Sequence, residues 1–319
     1  MKSIFKVLMI ISLIVIGLIT LITVCLAILA NKSVVPKDYQ TTVSTGGVIE
    51  KKYMANGKHE VSVHEQIVLQ EFEKILVYYP SDLEQSSKRF PVIVLCNGSG
   101  TPLSRYSTLA RHFASWGFIV IGTEEKYSWN ALGAEICLQY LERLDKNDTI
   151  DDTKSLFFHK VDFDHVGIVG HSQGGVGVIN AITATEHRLT YKAAVSLSPT
   201  NKKLAKDLFW NYDESKIQAP ILLLAGEGGG DDWVITSDQL NQIYDGIHCC
   251  KLKARRRNTH HGETLYTASG YVVAWFRWLL YGDIKAAEAF TGRNPEILTN
   301  DNYAEQRIDF DCIQPLNEH

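Results

Sequence analysis

The chain has 319 residues, of which 45% are hydrophobic and 21% are charged, and its formal net charge is -4. This length and composition fit a large globular α/β domain and exclude a disordered or fibrous chain. Basic residues cluster only from Lys251 to Arg257, a run that we interpret as a solvated strand end, so nucleic acid is not an expected partner.

The N-terminal segment is apolar and precedes all the other predicted elements. From Val7 to Ala30 it contains no charged residue, and a membrane-spanning helix needs about 20 apolar residues. Lys2 and Lys6 precede this run and favour a cytoplasmic N-terminus. Residues 1–30 are therefore predicted to be a cytoplasmic start and a single transmembrane anchor in the cell membrane, with the rest of the chain extracellular.

A secreted protein is the alternative, in which the apolar segment is a cleaved signal peptide. The run is longer than the apolar core of about 7–15 residues that signal peptides use. Ile28 also stands where a cleavage site before Asn31 needs a small residue. Both features favour an uncleaved anchor.

Residues 31–60 are polar and include Gly46-Gly47 and Asn56-Gly57. We interpret them as a stalk or linker. A single globular domain is predicted over residues 61–319, because strand-like and helical patterns follow one another there without a repeat or a low-complexity segment.

Apolar runs and helical periodicity predict the elements of this domain. The predicted strands are Val61–Leu69, Ile75–Tyr79, Val92–Cys96, Phe118–Ile121, Val166–Val169, Ala193–Leu197, Ile221–Leu224 and Cys249–Ala254. The predicted helices are Leu103–Trp116, Ala131–Leu144, Gly175–Glu186, Ser237–Tyr244 and Leu265–Leu280. Two antiparallel strands followed by alternating strands and helices indicate an α/β fold with a mostly parallel, eight-stranded sheet and helices on both faces.

Polar residues follow four of these strands, at the sheet edge where parallel sheets bind their ligands. The third strand is followed by NGSG at residues 97–100 and the fifth by Ser172. The seventh is followed by Glu227 to Asp232, and the eighth by His260-His261. The sequence therefore predicts one functional site built from these four loops.

Ser172 lies in VGIVGHSQGG, residues 166–175, where a β-branched strand meets a helix. Gly170 and Gly174 flank it with the spacing G-x-S-x-G, which allows the close backbone approach of a sharp turn that projects the serine hydroxyl. With an acid and a histidine following in chain order, this pattern predicts a nucleophilic serine.

The general base is expected to be a histidine in the loop after the last strand. His261 is favoured over His260, because Gly262 follows it and the final long helix comes next. His171, beside the nucleophile, is expected to shape the floor of the cleft instead.

The acid is expected in AGEGGGDDW, which contains Glu227, Asp231 and Asp232. Its role is to hold the imidazole in the productive tautomer and to stabilise the imidazolium. Asp231 is favoured because it closes the glycine-rich turn and leaves Trp233 two residues on, able to line a substrate pocket. Asp232 remains an open alternative.

An oxyanion hole needs preorganised N–H donors. The backbone N–H of Gln173, directly after the nucleophile, and that of Ser99 in NGSG are the expected pair.

The cysteines show no C-x-x-C spacing of the kind that metal sites use. Cys96 ends an apolar strand and is expected in the core, and Cys25 is expected within the membrane segment. In an extracellular domain, a disulfide between Cys312 and either Cys249 or Cys250 is allowed.

Six segments together resemble the α/β-hydrolase superfamily, and within it the dienelactone-hydrolase-like and bacterial cutinase or polyesterase branch. They are NGSG, RYSTLARHFASWGFIVIGTE, GHSQGG, ILLLAGEGGGDD, NTHHGE and GYVVAWFRWLL, within residues 61–290. The resemblance implies a serine hydrolase that uses neither a metal nor an organic cofactor. The polyesterase branch usually has an aromatic residue where Ser99 stands, a departure that disfavours polymers and bulky aryl esters as substrates.

The expected function is hydrolysis of a small-molecule or lipid-like carboxylic ester through an acyl-enzyme. A peptidase or a thioesterase would use the same triad. A membrane-tethered, non-catalytic binding protein on a hydrolase scaffold is the alternative of another class, because a fold alone does not establish catalysis.

Overall fold

A nine-stranded sheet forms the centre of the computed structural model, which describes residues 32–68, 70–147 and 155–310, together with Met9 and residues 15–23. The strands are β1 Val61–Ile67, β2 Lys74–Pro80, β3 Phe90–Cys96, β4 Ile119–Thr123, β5 Val161–His171, β6 Tyr191–Leu197, β7 Ile221–Glu227, β8 Lys251–Arg257 and β9 Tyr303–Asp309. Their order across the sheet is β1-β2-β4-β3-β5-β6-β7-β8-β9. The strands from β4 to β8 in this order are parallel, whereas β2 and β9 are antiparallel to their neighbours.

Helices connect the strands and cover the sheet. They are α1 Tyr39–Thr42, α2 Val48–Met54, α3 Ser107–Ser115, α4 Leu132–Asp145, α5 Gln173–Ala184, α6 Lys202–Asp207, α7 Ser237–Gly246, α8 Thr264–Thr267, α9 Ser269–Tyr281, α10 Ile284–Ala287 and α11 Glu296–Thr299. Short 3-10 turns occur at Gln70–Phe72, Leu103–Tyr106, Glu186–Leu189, Glu214–Lys216 and His261–Glu263.

The sheet separates two apolar cores, because successive strand residues point to opposite faces. In β3, Ile93 and Leu95 pack into the core that includes α3 and α9. Val92 and Val94 pack into the opposite core, which includes α4, α5 and α7. The predicted α/β fold with helices on both faces is therefore confirmed.

The prediction of eight strands is wrong by one, because β9 adds an antiparallel strand beside β8. Its sequence, YAEQRID, buries only Tyr303 and Ala304 and leaves the following residues partly or fully exposed. An edge strand of this kind lacks the apolar run that identifies a buried strand in a sequence.

Residues 32–60 pack against the domain, so the prediction of a stalk there is wrong. Tyr39, Tyr53 and Met54 are buried in the same core as α9. The carboxylate of Glu50 is also fully buried and accepts a hydrogen bond from Arg256 at 2.9 Å. The polar composition of this segment reflects the exposed sides of α1 and α2 and one buried ion pair.

The basic run of β8 is also buried, which corrects its interpretation as a solvated strand end. Lys253 and Arg255 are 1% and 5% exposed, because β7 and β9 cover both edges of β8. Burial lowers the pKa of Lys253, whose ion-pair partner Glu305 lies at 3.5 Å. Lys253 and Arg255 are thus paired inside the protein, whereas Arg257 at the end of the strand is exposed.

The predicted membrane helix lies largely outside the described residues. Residues 15–23 are helical and exposed, and the part of the chain that is described contains no helix long and apolar enough to cross a membrane.

The cysteines of the described residues differ in state. Cys250 is in a disulfide, whereas Cys96, Cys137 and Cys249 are free thiols. Cys249 is therefore not the residue that forms the predicted disulfide, and Cys312 lies outside the described residues.

Candidate active site

Ser172 occupies the turn between β5 and α5 with φ 60° and ψ -120°, a conformation rare for a residue with a side chain. Its N–H donates to the Leu197 carbonyl at 2.9 Å and its carbonyl accepts from the Gly175 N–H at 2.9 Å. A Cβ on Gly174 would lie 2.2 Å from the Cys96 carbonyl oxygen, so only glycine fits there. The half-buried Ser172 side chain forms no capping bond to α5, which leaves its hydroxyl available for chemistry.

His261 and Asp231 form a hydrogen-bonded pair. The Nδ1 atom of His261 lies 2.7 Å from Oδ1 of Asp231, whose side chain is fully buried. The second carboxylate oxygen accepts from the Ser198 hydroxyl at 2.8 Å and from the Gly226 N–H. These bonds hold the carboxylate in place, and the carboxylate in turn orients the imidazole so that Nε2 is its free nitrogen.

His171 connects the pair of His261 and Asp231 to the turn that carries Ser172. Its Nε2 donates to the His261 carbonyl at 2.7 Å, and the two rings lie 4.5 Å apart between centroids. Burial, together with the nearby His261, lowers the pKa of His171 to about 3, so the ring stays neutral at physiological pH. Because His171 directly precedes Ser172, this contact places His261 beside the turn that carries the serine.

The structure distinguishes between the neighbouring residues that the sequence left open. Asp232 is half-exposed and binds Arg255 at 2.5 Å, away from either histidine. His260 is exposed, and Glu227 pairs with Arg257 at 3.3 Å. Of Glu227, Asp231 and Asp232, only Asp231 contacts His261.

Ser198 and Arg255 bind Asp231 and the loop around it, and neither residue was predicted from the sequence. The guanidinium of Arg255 donates two hydrogen bonds, at 2.9 and 2.6 Å, to the carbonyl of Gly226. Ser198, with φ 42°, follows β6 and donates to Asp231. The only sequence signal for either residue is its position at or near the end of a strand.

The loop NGSG packs against the turn that carries Ser172. The N–H of Gly98 donates to the Tyr106 hydroxyl at 2.9 Å, and a Cβ on Gly98 would lie 3.3 Å from the His171 carbonyl oxygen. Neither the N–H of Ser99 nor that of Gln173 has an acceptor among the described residues. Two backbone donors therefore remain free on adjoining loops.

The side chain of Gln173 is buried near Ser172, whereas that of Trp233 is exposed. The Oε1 atom of Gln173 accepts from the Ser128 N–H at 2.9 Å, which anchors the loop after β4. Trp233, expected to line a pocket, is 87% exposed on the loop that carries Asp231. The structure thus leaves Trp233 in contact with solvent.

Comparison with known proteins identifies the family of this chain and one relative. The family model described as PET hydrolase-like matches residues 47–307. The chain is similar to a bis(hydroxyethyl) terephthalate hydrolase of Streptomyces coelicolor, with 22% identity over 216 residues. That match covers 66% of this chain and 63% of the length of the relative.

Proposed function

This chain belongs to the PET hydrolase-like family, and we propose that it hydrolyses carboxylic esters with Ser172, His261 and Asp231 as its catalytic triad. The observation that carries the proposal is the chain of contacts from Asp231 through His261 to His171, the residue next to Ser172. Asp231 and His261 each have a defined partner and orientation beside the turn that carries Ser172, as an acid and a base require.

The proposed reaction has two stages. His261 accepts the proton of the Ser172 hydroxyl while the serine oxygen attacks the ester carbonyl, and the resulting imidazolium is stabilised by Asp231. The same histidine then protonates the departing alcohol. Water, activated by His261, next attacks the acyl-enzyme, which releases the carboxylic acid and restores the Ser172 hydroxyl.

The free N–H groups of Ser99 and Gln173 are proposed to stabilise the negative charge of the tetrahedral intermediate. Loss of one such donor typically costs about 3–4 kcal/mol of transition-state stabilisation. Since both donors belong to the backbone, the arrangement depends on the packing of NGSG against the turn rather than on side-chain identity.

The substrate proposed is a small-molecule or lipid-like ester. The relative from Streptomyces coelicolor is named for a terephthalate ester, whereas this chain has Ser99, a small and exposed side chain, beside the proposed oxyanion hole. We further propose that residues 7–30 tether the enzyme to the cell membrane.

Covalent labelling tests the catalytic proposal. A fluorophosphonate should label wild-type protein at Ser172, and Ser172→Ala should abolish both labelling and hydrolysis of p-nitrophenyl acetate. Circular dichroism should show an unchanged fold, because this half-buried site loses only a hydroxyl oxygen. A folded Ser172→Ala protein with wild-type hydrolysis would exclude the mechanism, and a wild-type protein that neither labels nor hydrolyses would support a non-catalytic binding protein.

A further inference from the structure

Large apolar side chains are exposed on the connections that follow β4, β6 and β7, at the sheet edge that carries Ser172. We refer to them as the apolar rim: Tyr127 (61% exposed), Leu132 (48%), Leu208 (41%), Phe209 (80%) and Trp233 (87%). Large exposed apolar patches on a protein surface mark contacts with proteins, ligands or membranes.

Hydrogen bonds between the connections hold the apolar rim together. The Asn180 side chain donates to the Trp129 carbonyl at 2.7 Å and to the Asn211 carbonyl at 3.1 Å. The Asn201 side chain donates to the Val234 carbonyl at 2.7 Å. The segments that carry Tyr127, Phe209 and Trp233 are therefore linked to one another by buried or partly buried amides.

Phe209 has a backbone conformation that phenylalanine rarely adopts. It lies two residues after the end of α6, where its N–H donates to the Lys206 carbonyl at 3.1 Å and the next N–H, of Trp210, donates to the Ala205 carbonyl at 2.8 Å. This is the helix-ending position that glycine usually occupies, and Phe209 has φ 61°. The Phe209 side chain, 80% exposed at this turn, is available for an apolar contact outside the protein.

The N-terminal segment joins the domain at the same sheet edge. The carbonyl of Lys32 accepts from the Arg105 side chain at 2.9 Å, and the Val34 N–H donates to the Arg105 carbonyl at 3.0 Å. Arg105 lies in the turn whose Tyr106 hydroxyl binds the Gly98 N–H. Lys32, which contacts Arg105, comes only two residues after Ala30, where the uncharged run ends. The predicted anchor therefore ends close in the chain to a residue that lies beside the NGSG loop.

We propose that the apolar rim rests on the lipid bilayer that holds the N-terminal anchor, and that the enzyme takes its esters, acylglycerols with exposed ester bonds, from that bilayer. Aromatic side chains favour the membrane interface, and the exposed Lys206 lies two residues before Leu208, where it adds a positive charge beside the apolar rim. The inference rests on the proposed ester hydrolysis and on the proposed anchor.

The test compares two substrates and two double variants of the full chain, reconstituted in phosphatidylcholine vesicles that contain a diacylglycerol. The rim variant is Phe209→Asn with Tyr127→Ser; asparagine tolerates the backbone conformation of Phe209. The control variant is Leu189→Ser with Ile284→Ser, two side chains that are 60% and 75% exposed outside the apolar rim. Diacylglycerol hydrolysis is measured beside hydrolysis of soluble p-nitrophenyl acetate.

The rim variant should hydrolyse the diacylglycerol about tenfold more slowly than wild type, because apolar area no longer enters the interface. Its rate on p-nitrophenyl acetate should be unchanged, and the control variant should match wild type on both substrates. Equal diacylglycerol rates for rim variant and wild type would overturn the inference, as would a wild-type enzyme that cleaves only the soluble ester. Failure of wild type on both substrates would instead overturn the proposed function.

Discussion

At the scale of single residues, the proposed site depends on backbone conformations that side chains rarely adopt. Ser172 and Ser198 both have positive φ, at 60° and 42°. Ser172 thereby leaves the helix end free, and Ser198 thereby reaches the buried oxygen of Asp231 at 2.8 Å. Such conformations cost free energy of order 1–3 kcal/mol each and persist where the surrounding structure enforces them.

Substitution of the two adjacent aspartates tests the assignment of the acid. Asp231→Asn should lower kcat by about 10³–10⁴-fold, because an amide favours the wrong tautomer of His261. Asp232→Asn makes the same change of charge and volume as Asp231→Asn, but it alters only the contact with Arg255. We therefore expect this variant to keep most of the wild-type activity. Steady-state kinetics on p-nitrophenyl acetate measures both, and a more severe loss in Asp232→Asn would move the acid by one residue.

At the scale of elements, hydrogen bonds join the connection between β4 and α4 to the proposed oxyanion loop. The Asn97 side chain donates to the carbonyls of Thr123 and Glu125, at 2.7 Å each. The Ser128 hydroxyl donates to the Asn97 carbonyl at 2.6 Å. The carboxyl group of Glu125 is 5% exposed in this connection, and burial raises its pKa to about 7.

Glu125 should make the stability of the protein depend on pH. Its carboxyl ionises at about pH 4.3 in the unfolded chain, so between that pH and about 7 the folded state binds more protons. The contribution of Glu125 to the free energy of unfolding therefore falls as pH rises through this window. Glu125→Gln removes the ionisation, and we expect it to be more stable than wild type at pH 8 but not at pH 4.5.

Urea denaturation at both pH values measures this difference. Glu84→Gln removes the same charge from an exposed residue and serves as the control. A wild-type advantage over Glu125→Gln at pH 8 would contradict the raised pKa of Glu125.

At the scale of the whole molecule, the N-terminal region is bound to the domain by contacts far apart in the chain. Buried Glu50 accepts from Arg256 at 2.9 Å and from Asn300 at 2.9 Å, and the Tyr303 hydroxyl donates to it at 3.0 Å. Residues after Lys32 therefore form part of the domain rather than a spacer. If the anchor is retained, the enzyme has little free chain between membrane and proposed site.

Membrane fractionation tests the anchor. The full chain should sediment with membranes and resist extraction at alkaline pH, and protease added to intact cells should digest its domain. Leu18→Arg, which places a charge within the apolar run, should weaken retention because a charge at the centre of a membrane helix costs about 2.5–3.5 kcal/mol. A soluble wild-type product that begins near Asn31 would show cleavage instead.

The sequence by itself determined the α/β class, the strands from β1 to β8, the helices α3, α4, α5, α7 and α9, and the loops that carry the candidate residues, but neither the short helix α6 nor the edge strand β9. Buried parallel strands are short apolar runs, and a serine between glycines after such a run indicates a sharp turn, so these features are local. Only the tertiary structure decided which of two adjacent aspartates, Asp231 or Asp232, has a buried side chain. Adjacent loop residues of the same type look alike in a sequence, but their side chains point in different directions. The tertiary structure also decided that the charges of Glu50 and Arg256 are buried, because burial of a charge depends on a partner that sequence patterns do not identify.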